Sequence, residues 1–169
     1  MRKFFNENIQ IGKWSMFFNR YGNKRDIILD FGCGAGWGIF VGRRMGYEVY
    51  GLDVECPETA PFFKFRKKID VDKYVKMYDG VSVPYDDNTF TLITCKSSLS
   101  KYVNLSKEKI TLEKKVNKRV SEISRILKPK GIIITDEMKS KAAQGMKKVG
   151  LNIIQDMFYG FSYYEGRIK

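Results

Sequence analysis

An apolar segment that runs directly into alternating glycines constrains the fold of this chain more than any other feature. Residues 26–31, with the sequence DIILDF, have the length and composition of a buried strand. Glycines at positions 32, 34, 36 and 38 end the strand, and residues 39–45 then predict a helix that Gly46 caps. A strand, a glycine loop and a helix in this order form the first part of a βαβ unit, which pairs its strands in parallel.

The rest of the chain continues the alternation of strands and helices. The clearest helical pattern extends over residues 112–127, where apolar residues recur at spacings of three and four. Ser106 can cap its start, and Pro129 stops it. Near the start of the chain, one helical face is aromatic and carries Trp14, Phe17, Phe18 and Tyr21. Further strands are predicted at 48–53, 74–78, 89–95, 131–135, 151–157 and 161–168, and further helices at 62–68 and 140–149.

These elements predict a single domain that spans residues 1–169. Strands that alternate with helices imply right-handed parallel crossovers, so we expect an α/β fold with a doubly wound, mostly parallel sheet and helices on both faces. With the closing pair of strands included, the predicted sheet is seven-stranded and its last strand is antiparallel. In this prediction, residues 1–25 form an N-terminal helical cap and residues 26–169 form a Rossmann-like core.

The details of the glycine loop separate it from the common phosphate-binding loops. In an open α/β sheet the ligand lies beyond the carboxyl ends of the strands, beside the first strand-to-helix loop. A dinucleotide fingerprint that starts at Gly32 or at Gly34 requires a further glycine where this chain has Trp37 or Ile39. The Gly-Lys-Ser/Thr sequence of a P-loop does not occur. What remains is the pattern Asp-x-Gly-x-Gly-x-Gly.

Two acidic residues indicate the charge of the ligand. Asp30 precedes the loop, and Asp53 ends the next predicted strand. A carboxylate repels a pyrophosphate but attracts an ammonium or a sulfonium group, and S-adenosylmethionine carries both cations and no phosphate. At the end of its strand, Asp53 can accept hydrogen bonds from both hydroxyls of a ribose. The sequence therefore predicts S-adenosylmethionine as the cofactor.

At this point the sequence resembles the class I S-adenosylmethionine-dependent methyltransferases, especially those with small, undecorated domains. Residues 28–36 (ILDFGCGAG) are similar to the first motif of that family almost residue for residue, and residues 78–85 (YDGVSVPY) are similar to its third. Residues 90–94 resemble the fourth motif, although the family usually has aspartate where Thr91 stands. Residues 125–131 resemble the turn into the fifth strand. The resemblance covers roughly residues 26–137 and implies a methyltransferase.

The resemblance also implies a role for each matching position. The glycine loop would line the methionine moiety, the first acid would contact its amino end, and the second acid would hold the ribose. The residue after the second acid would pack on adenine, and an acid and an amide after the third strand would read the adenine edge. The backbone after the fourth strand would close the site. The implied cofactor-binding residues are Asp30, Gly32, Cys33, Gly34, Gly36, Asp53, Val54, Asp79, Gly80, Cys95 and Lys96.

The acceptor side carries no comparable motif. The chain has no histidine, which excludes a histidine base and leaves alignment of the reactants as the main source of catalysis. Ser100, Lys101 and Tyr102 are candidates on the substrate side, with a solvated loop as the alternative, and no catalytic residue is identified. Three functions stay open: methyl transfer to an unidentified acceptor such as a small molecule, methyl transfer to RNA or another polyanion, and non-catalytic binding of the cofactor.

Charge and cysteine content bear on partners and location. The net charge of +12, with basic clusters at 64–68 and 107–119, fits a polyanionic partner but also a lysine-rich proteome that keeps its proteins soluble. Three cysteines without CxxC spacing favour a reducing cytoplasm and no metal site. Since no apolar run approaches a membrane span, no membrane partner is expected. A site without a separate lid also fits completion by a second subunit, so a homodimer is an open expectation.

Overall fold

The computed structural model describes residues 7–54, 60–96, 98, 107, 109–136 and 141–155. Its helices are α1 (Glu7–Tyr21), α2 (Trp37–Arg44), α3 (Ala60–Lys68), α4 (Leu112–Ile126) and α5 (Lys141–Lys148). Its strands are β1 (Ile27–Phe31), β2 (Glu48–Val54), β3 (Val75–Tyr78), β4 (Phe90–Cys95), β5 (Leu127–Thr135) and β6 (Asn152–Gln155). A short 3-10 helix, Asp72–Tyr74, precedes β3. No helix in these ranges combines the length and the apolarity that crossing a membrane requires.

The six described strands form one sheet in the order β3-β2-β1-β4-β5-β6. Every neighbouring pair is parallel, which confirms the doubly wound α/β fold. The predicted seven strands with an antiparallel last strand differ from the sheet of the described chain, where β6 is the sixth strand and pairs parallel with β5. Because α5 separates β5 from β6, the chain re-enters the sheet in the same direction. The strand predicted at 161–168 lies outside the described residues.

Helices cover both faces of the sheet, which explains why its strands are apolar almost throughout. One face packs under α4 and α5, and its core includes Leu29, Phe31 and Ile133. The other face packs under α1 and α2, with partly buried aromatic residues of α3 at its margin. The aromatic face predicted near the start of the chain is the buried face of α1, which packs against α2. The division into a cap and a core remains a prediction.

The cap of α4 and the start of β5 differ from those predicted. Thr111 caps α4 by accepting a hydrogen bond from the backbone N–H of Lys114 at 3.3 Å, whereas the predicted cap, Ser106, lies outside the described residues. β5 begins at Leu127, ahead of the predicted start at 131, because Leu127 pairs with Phe90 of β4. The register then shifts, so the residues around Lys130, which has a φ of 65°, bulge out of the ladder where a turn was predicted.

Candidate functional site

The carboxyl ends of the strands form one edge of the sheet, and the strand order reverses at its centre, between β1 and β4. Open α/β sheets bind their ligands at such a reversal. Phe31 of β1 pairs with Leu52 of β2 on one side and with Cys95 of β4 on the other. Asp53 and Lys96 directly follow these two partners in the chain, so both lie beside the start of the glycine loop. With the end of β3 included, the predicted residues extend over three strand spacings, or about 14 Å.

The glycine loop turns tightly over the end of β2. The backbone N–H groups of Gly32 and Cys33 both donate to the Leu52 carbonyl, at 2.7 and 3.0 Å. Gly32 has a φ of 77° and Gly36, which caps α2, has a φ of 78°, and L side chains rarely adopt either conformation. A Cβ on Gly32 would also lie 2.4 Å from the Cβ of Ser98. Backbone geometry and packing therefore require glycine here before any ligand is considered.

Asp30 lies at the end of β1, on the face that α1 and α2 cover. It is 3% exposed, and a Cβ on Gly38 of α2 would lie 2.5 Å from its Oδ2 and 2.8 Å from the ring of Trp14. Among the described residues, that Oδ2 is the one buried side-chain nitrogen or oxygen without a hydrogen-bond partner. Burial, and secondarily the charge of Asp53, raises the pKa of Asp30 to about 7, while Lys96 acts in the opposite direction. An unpartnered carboxylate oxygen at this depth is suited to a cation or a hydrogen-bond donor.

Asp53 lies one strand away on the same face and is 4% exposed. Its Oδ1 accepts the backbone N–H of Val54 at 2.9 Å, and its Oδ2 accepts Nη1 of Arg66, on α3, at 2.7 Å. The same Nη1 donates to the Gly34 carbonyl at 2.8 Å, and Nε of Arg66 donates to Oδ1 of Asp72 at 3.2 Å. Burial raises the pKa of Asp53, and the guanidinium of Arg66 opposes that shift. A buried arginine therefore joins the second acid to the glycine loop.

Asp79 and Gly80 form a turn after β3. The Oδ1 of Asp79 accepts the backbone N–H groups of Val81 and Ser82, at 2.8 and 2.7 Å, so this carboxylate helps to build the turn. Gly80 has a φ of 94° and presents its carbonyl to Arg119 of α4, whose Nε donates at 2.8 Å and whose Nη2 also donates. Whether Asp79 and Gly80 also read an adenine remains a prediction.

The segment after β4 is joined to β1 and to α4. Cys95 is fully buried, and burial lowers the pKa of Lys96. The hydroxyl of Ser98 donates to the Phe31 carbonyl at 2.6 Å, and the Ser98 carbonyl accepts Nη1 of Arg119 at 3.0 Å. From its position on α4, Arg119 therefore connects the segment after β3 with the segment after β4.

Two arginines of the site, Arg66 and Arg119, were missed from the sequence. They belong to the basic clusters at 64–68 and 107–119, yet both are fully buried. A signal for Arg119 was present, because it shares the inner stripe of α4 with Val116 and Val120 at helical spacing. The basic clusters are therefore not continuous charged surfaces.

The other reactive candidates are the Cys33 thiol and residues that lie outside the described ranges. Burial raises the pKa of the Cys33 thiol, which disfavours its thiolate and agrees with a packing role. Ser100, Lys101, Tyr102 and Cys56 lie outside the described residues. Within the part of the chain that the structure describes, no three histidine, cysteine, aspartate or glutamate side chains are grouped as metal ligands.

Comparison with known proteins identifies relatives by sequence. Residues 29–135, well over half of the chain, match the model of a family described as a methyltransferase domain. The malonyl-[acyl-carrier protein] O-methyltransferase of Buchnera aphidicola subsp. Baizongia pistaciae is 31% identical over 127 residues, which are 75% of this chain and 43% of that protein. The chain therefore spans less than half the length of this curated relative.

Solved structures share the fold. PH0226 of Pyrococcus horikoshii superimposes with a TM-score of 0.55 at 23% identity, over 73% of this chain and 54% of that one. A Thermotoga maritima protein described as a possible histamine N-methyltransferase gives 0.53 at 13% identity, over 83% and 70% of the two chains. The [4+2]-cyclase SpnF gives 0.52 at 22% identity, over 92% and 55%. Since a protein named as a cyclase shares this fold, the fold by itself does not decide the reaction.

Proposed function

Because the chain belongs to the family of class I, S-adenosylmethionine-dependent methyltransferases, we propose that it binds S-adenosylmethionine along the carboxyl edge of its sheet and transfers the methyl group to an acceptor. The family match at 29–135 includes the glycine loop, both acids and the ends of β3 and β4. These are the elements that converge on the edge of the sheet.

The observation that carries the proposal is Oδ2 of Asp30, which is buried beside the glycine loop and has no hydrogen-bond partner among the described residues. A buried carboxylate oxygen that lacks a hydrogen-bond partner is costly, and a cation that binds it recovers that cost. S-adenosylmethionine offers an ammonium and a sulfonium, whereas a pyrophosphate would meet two buried acids, Asp30 and Asp53. The residues present therefore fit S-adenosylmethionine and oppose a dinucleotide.

In this proposal the cofactor lies across β1, β2, β3 and the end of β4. The loop, Gly32, Cys33, Gly34 and Gly36, lines the methionine moiety, and Asp30 holds its ammonium directly or through water. Asp53 receives the ribose, and Val54 packs on adenine. Asp79 and Gly80 read the adenine edge, and the backbone of Cys95 and Lys96 closes the site.

The bound cofactor supplies a methyl group already activated by its sulfonium. The contribution of the chain is to align the acceptor with that methyl group and to exclude water, which can lower a barrier by roughly 7–11 kcal/mol. Without a histidine, the chain suits an acceptor that needs no strong base, such as an amine or a carboxylate. The Buchnera relative is named as an O-methyltransferase of a malonyl group, so small carboxylates are the first acceptors to test.

RNA or another polyanion is the second class of acceptor in this proposal. Its support is the net charge of +12, but Arg66 and Arg119 are buried and leave exposed lysines, such as Lys64 and Lys68, to meet a polyanion. A cofactor-binding module without catalysis is the third reading. The cytoplasm as location and a homodimer as assembly stay predictions.

Calorimetric titration tests the cofactor. We expect the wild-type chain to bind S-adenosylmethionine and S-adenosylhomocysteine but not NAD. Asp53→Ala should weaken both complexes by tenfold or more, since it removes charged hydrogen bonds of about 1.5–3 kcal/mol. Tight NAD binding, or no binding of either adenosyl compound, would refute the cofactor assignment.

Transfer of a labelled methyl group tests the chemistry. The acceptors are short dicarboxylic acids and their thioesters, amines, and total RNA at two salt concentrations. Label in a small acid supports the first reading, and salt-sensitive label in RNA supports the second. Cofactor binding with no label in any acceptor or in the protein itself favours the non-catalytic module.

A further inference from the structure

Arg66 holds the carboxylate to which the proposed function assigns the ribose. Its Nη1 lies 2.7 Å from Oδ2 of Asp53, while Oδ1 of that carboxylate accepts the Val54 amide at 2.9 Å. The Asp53 side chain is only 5% exposed, and the Arg66 side chain is fully buried. An ionised carboxylate has about four acceptor sites, and Asp53 already accepts the backbone N–H groups of Val54 and Gly34 and the guanidinium of Arg66. Two ribose hydroxyls therefore fit this carboxylate fully only when Arg66 gives up its site.

The contacts of Arg66 place its side chain directly against the glycine loop. Its Nη1 also donates to the Gly34 carbonyl at 2.8 Å, and a Cβ on Gly36 would lie 3.2 Å from its Cγ. Phe62, one turn earlier on α3, lies 3.9 Å from the position of a Cβ on Gly34. α3 therefore covers the loop with two side chains, Phe62 and Arg66, that are one helical turn apart.

One partner of Arg66 can remain with it if it leaves Asp53. Its Nε donates to Oδ1 of Asp72 at 3.2 Å, and the Asp72 side chain is 26% exposed, unlike that of Asp53. A guanidinium that moves toward Asp72 keeps a charged partner and gains water. Asp53 then loses its arginine and gains the ribose, so no buried charge is left without a partner.

We propose that Arg66 is a built-in competitor of the cofactor: its guanidinium holds the Asp53 carboxylate that the ribose needs, and it leaves Asp53 when S-adenosylmethionine binds. This inference rests on the proposed function and adds a conformational step to it. The affinity of the cofactor is then reduced by the fraction of molecules in which Arg66 holds Asp53. A helix, α3, that covers the glycine loop acts as the gate.

Replacing the arginine tests the competition. In Arg66→Met the side chain keeps an apolar stem against Gly36 but cannot hold Asp53. We expect S-adenosylhomocysteine, measured by calorimetry, to bind Arg66→Met at least about fivefold more tightly than wild type. Lys67→Met is the matched control, because it removes the same charge from the exposed neighbouring position and should leave the affinity unchanged.

Hydrogen exchange of the wild-type chain tests the movement without a substitution. Addition of S-adenosylhomocysteine should speed the exchange of α3 amides while it slows exchange at the glycine loop. If Arg66 instead positions Asp53 for the ribose, α3 becomes more protected and Arg66→Met binds more weakly. This measurement also decides the matter if Arg66→Met does not fold.

The outcomes distinguish a failure of the proposed function from a failure of this inference alone. Failure of both proteins to bind S-adenosylhomocysteine overturns the proposed function and this inference with it. Binding by wild type that Arg66→Met does not tighten, or tightens no more than Lys67→Met, overturns the inference alone. If S-adenosylhomocysteine binds to Arg66→Met but not to wild type, the inference is supported most strongly, because competition by Arg66 then decides whether the ligand binds.

Discussion

The raised pKa of Asp30 predicts that cofactor binding depends on pH in a range where most enzymes are stable. Burial raises this pKa to about 7. The ammonium and sulfonium of S-adenosylmethionine favour the ionised carboxylate, so the bound state lowers the pKa again. Binding below neutral pH is therefore coupled to the release of a proton from Asp30.

The magnitude follows from the fraction of Asp30 that is ionised. If the cofactor binds only the carboxylate form, its affinity falls about tenfold between about pH 8 and about pH 6. Asp30→Asn should bind the cofactor more weakly than wild type at high pH, and its affinity should not show this tenfold dependence on pH. The ratio of the two affinities cancels the titration of the cofactor's own amino group.

The raised pKa of Asp30 also makes the stability of the folded chain depend on pH. A carboxyl whose pKa is higher in the folded chain, about 7, than its ordinary value of 3.8 binds protons more tightly when folded. The stability that this group contributes is fully present below its ordinary pKa of 3.8, and it is lost as the pH rises through the folded-state pKa of about 7. Between about pH 5 and about pH 8 the loss amounts to about 2.5 kcal/mol, and Asp30→Asn should remove it.

Calorimetric titration of both proteins across this pH range is the assay, repeated in two buffers of different ionisation enthalpy to count the protons released. Urea unfolding at the same pH values measures the stability component. Affinity that stays constant or rises on acidification in wild type would refute the reasoning. An equal pH slope in wild type and Asp30→Asn would do the same.

Substitutions at three further positions test the framework of the fold and the site. Gly32→Ala should destabilise the chain by more than about 1 kcal/mol and abolish S-adenosylhomocysteine binding, because its Cβ would meet Ser98 at 2.4 Å and its φ is 77°. Arg119→Met should cost about 2–4 kcal/mol in urea unfolding, because the Gly80 and Ser98 carbonyls lose a charged donor, and Arg119→Lys should recover part of it. Thr111→Ala should cost about 1 kcal/mol through the lost cap, with cofactor affinity unchanged.

The core elements were predictable because their signals are local. The glycine loop follows an apolar strand, and the conformations it needs are available mainly to glycine, so β1, the loop and α2 appear where expected. The inner stripe of α4 was equally clear from spacing. The cap of α4 was assigned to Ser106 although Thr111 performs it, because hydroxyl residues before a helix cannot be ranked without the backbone direction.

The two buried arginines show where local signals end. A basic cluster in a sequence predicts solvated charge, yet Arg66 and Arg119 are fully buried. Their partners are distant in the chain: Arg66 donates to Gly34, and Arg119 to Gly80. Only the folded sheet brings these groups together.

The sequence by itself determined that strands and helices alternate, that a glycine loop follows Asp30, and that a second acid ends the next strand. Those features depend on spacing and on the conformations of single residues, which a linear pattern records. The tertiary structure decided that Oδ2 of Asp30 is buried with no hydrogen-bond partner in the described part of the chain, and that Arg66 holds Asp53. Burial and pairing arise from contacts between elements that are far apart in the chain, and they set the charge and accessibility of the two acids.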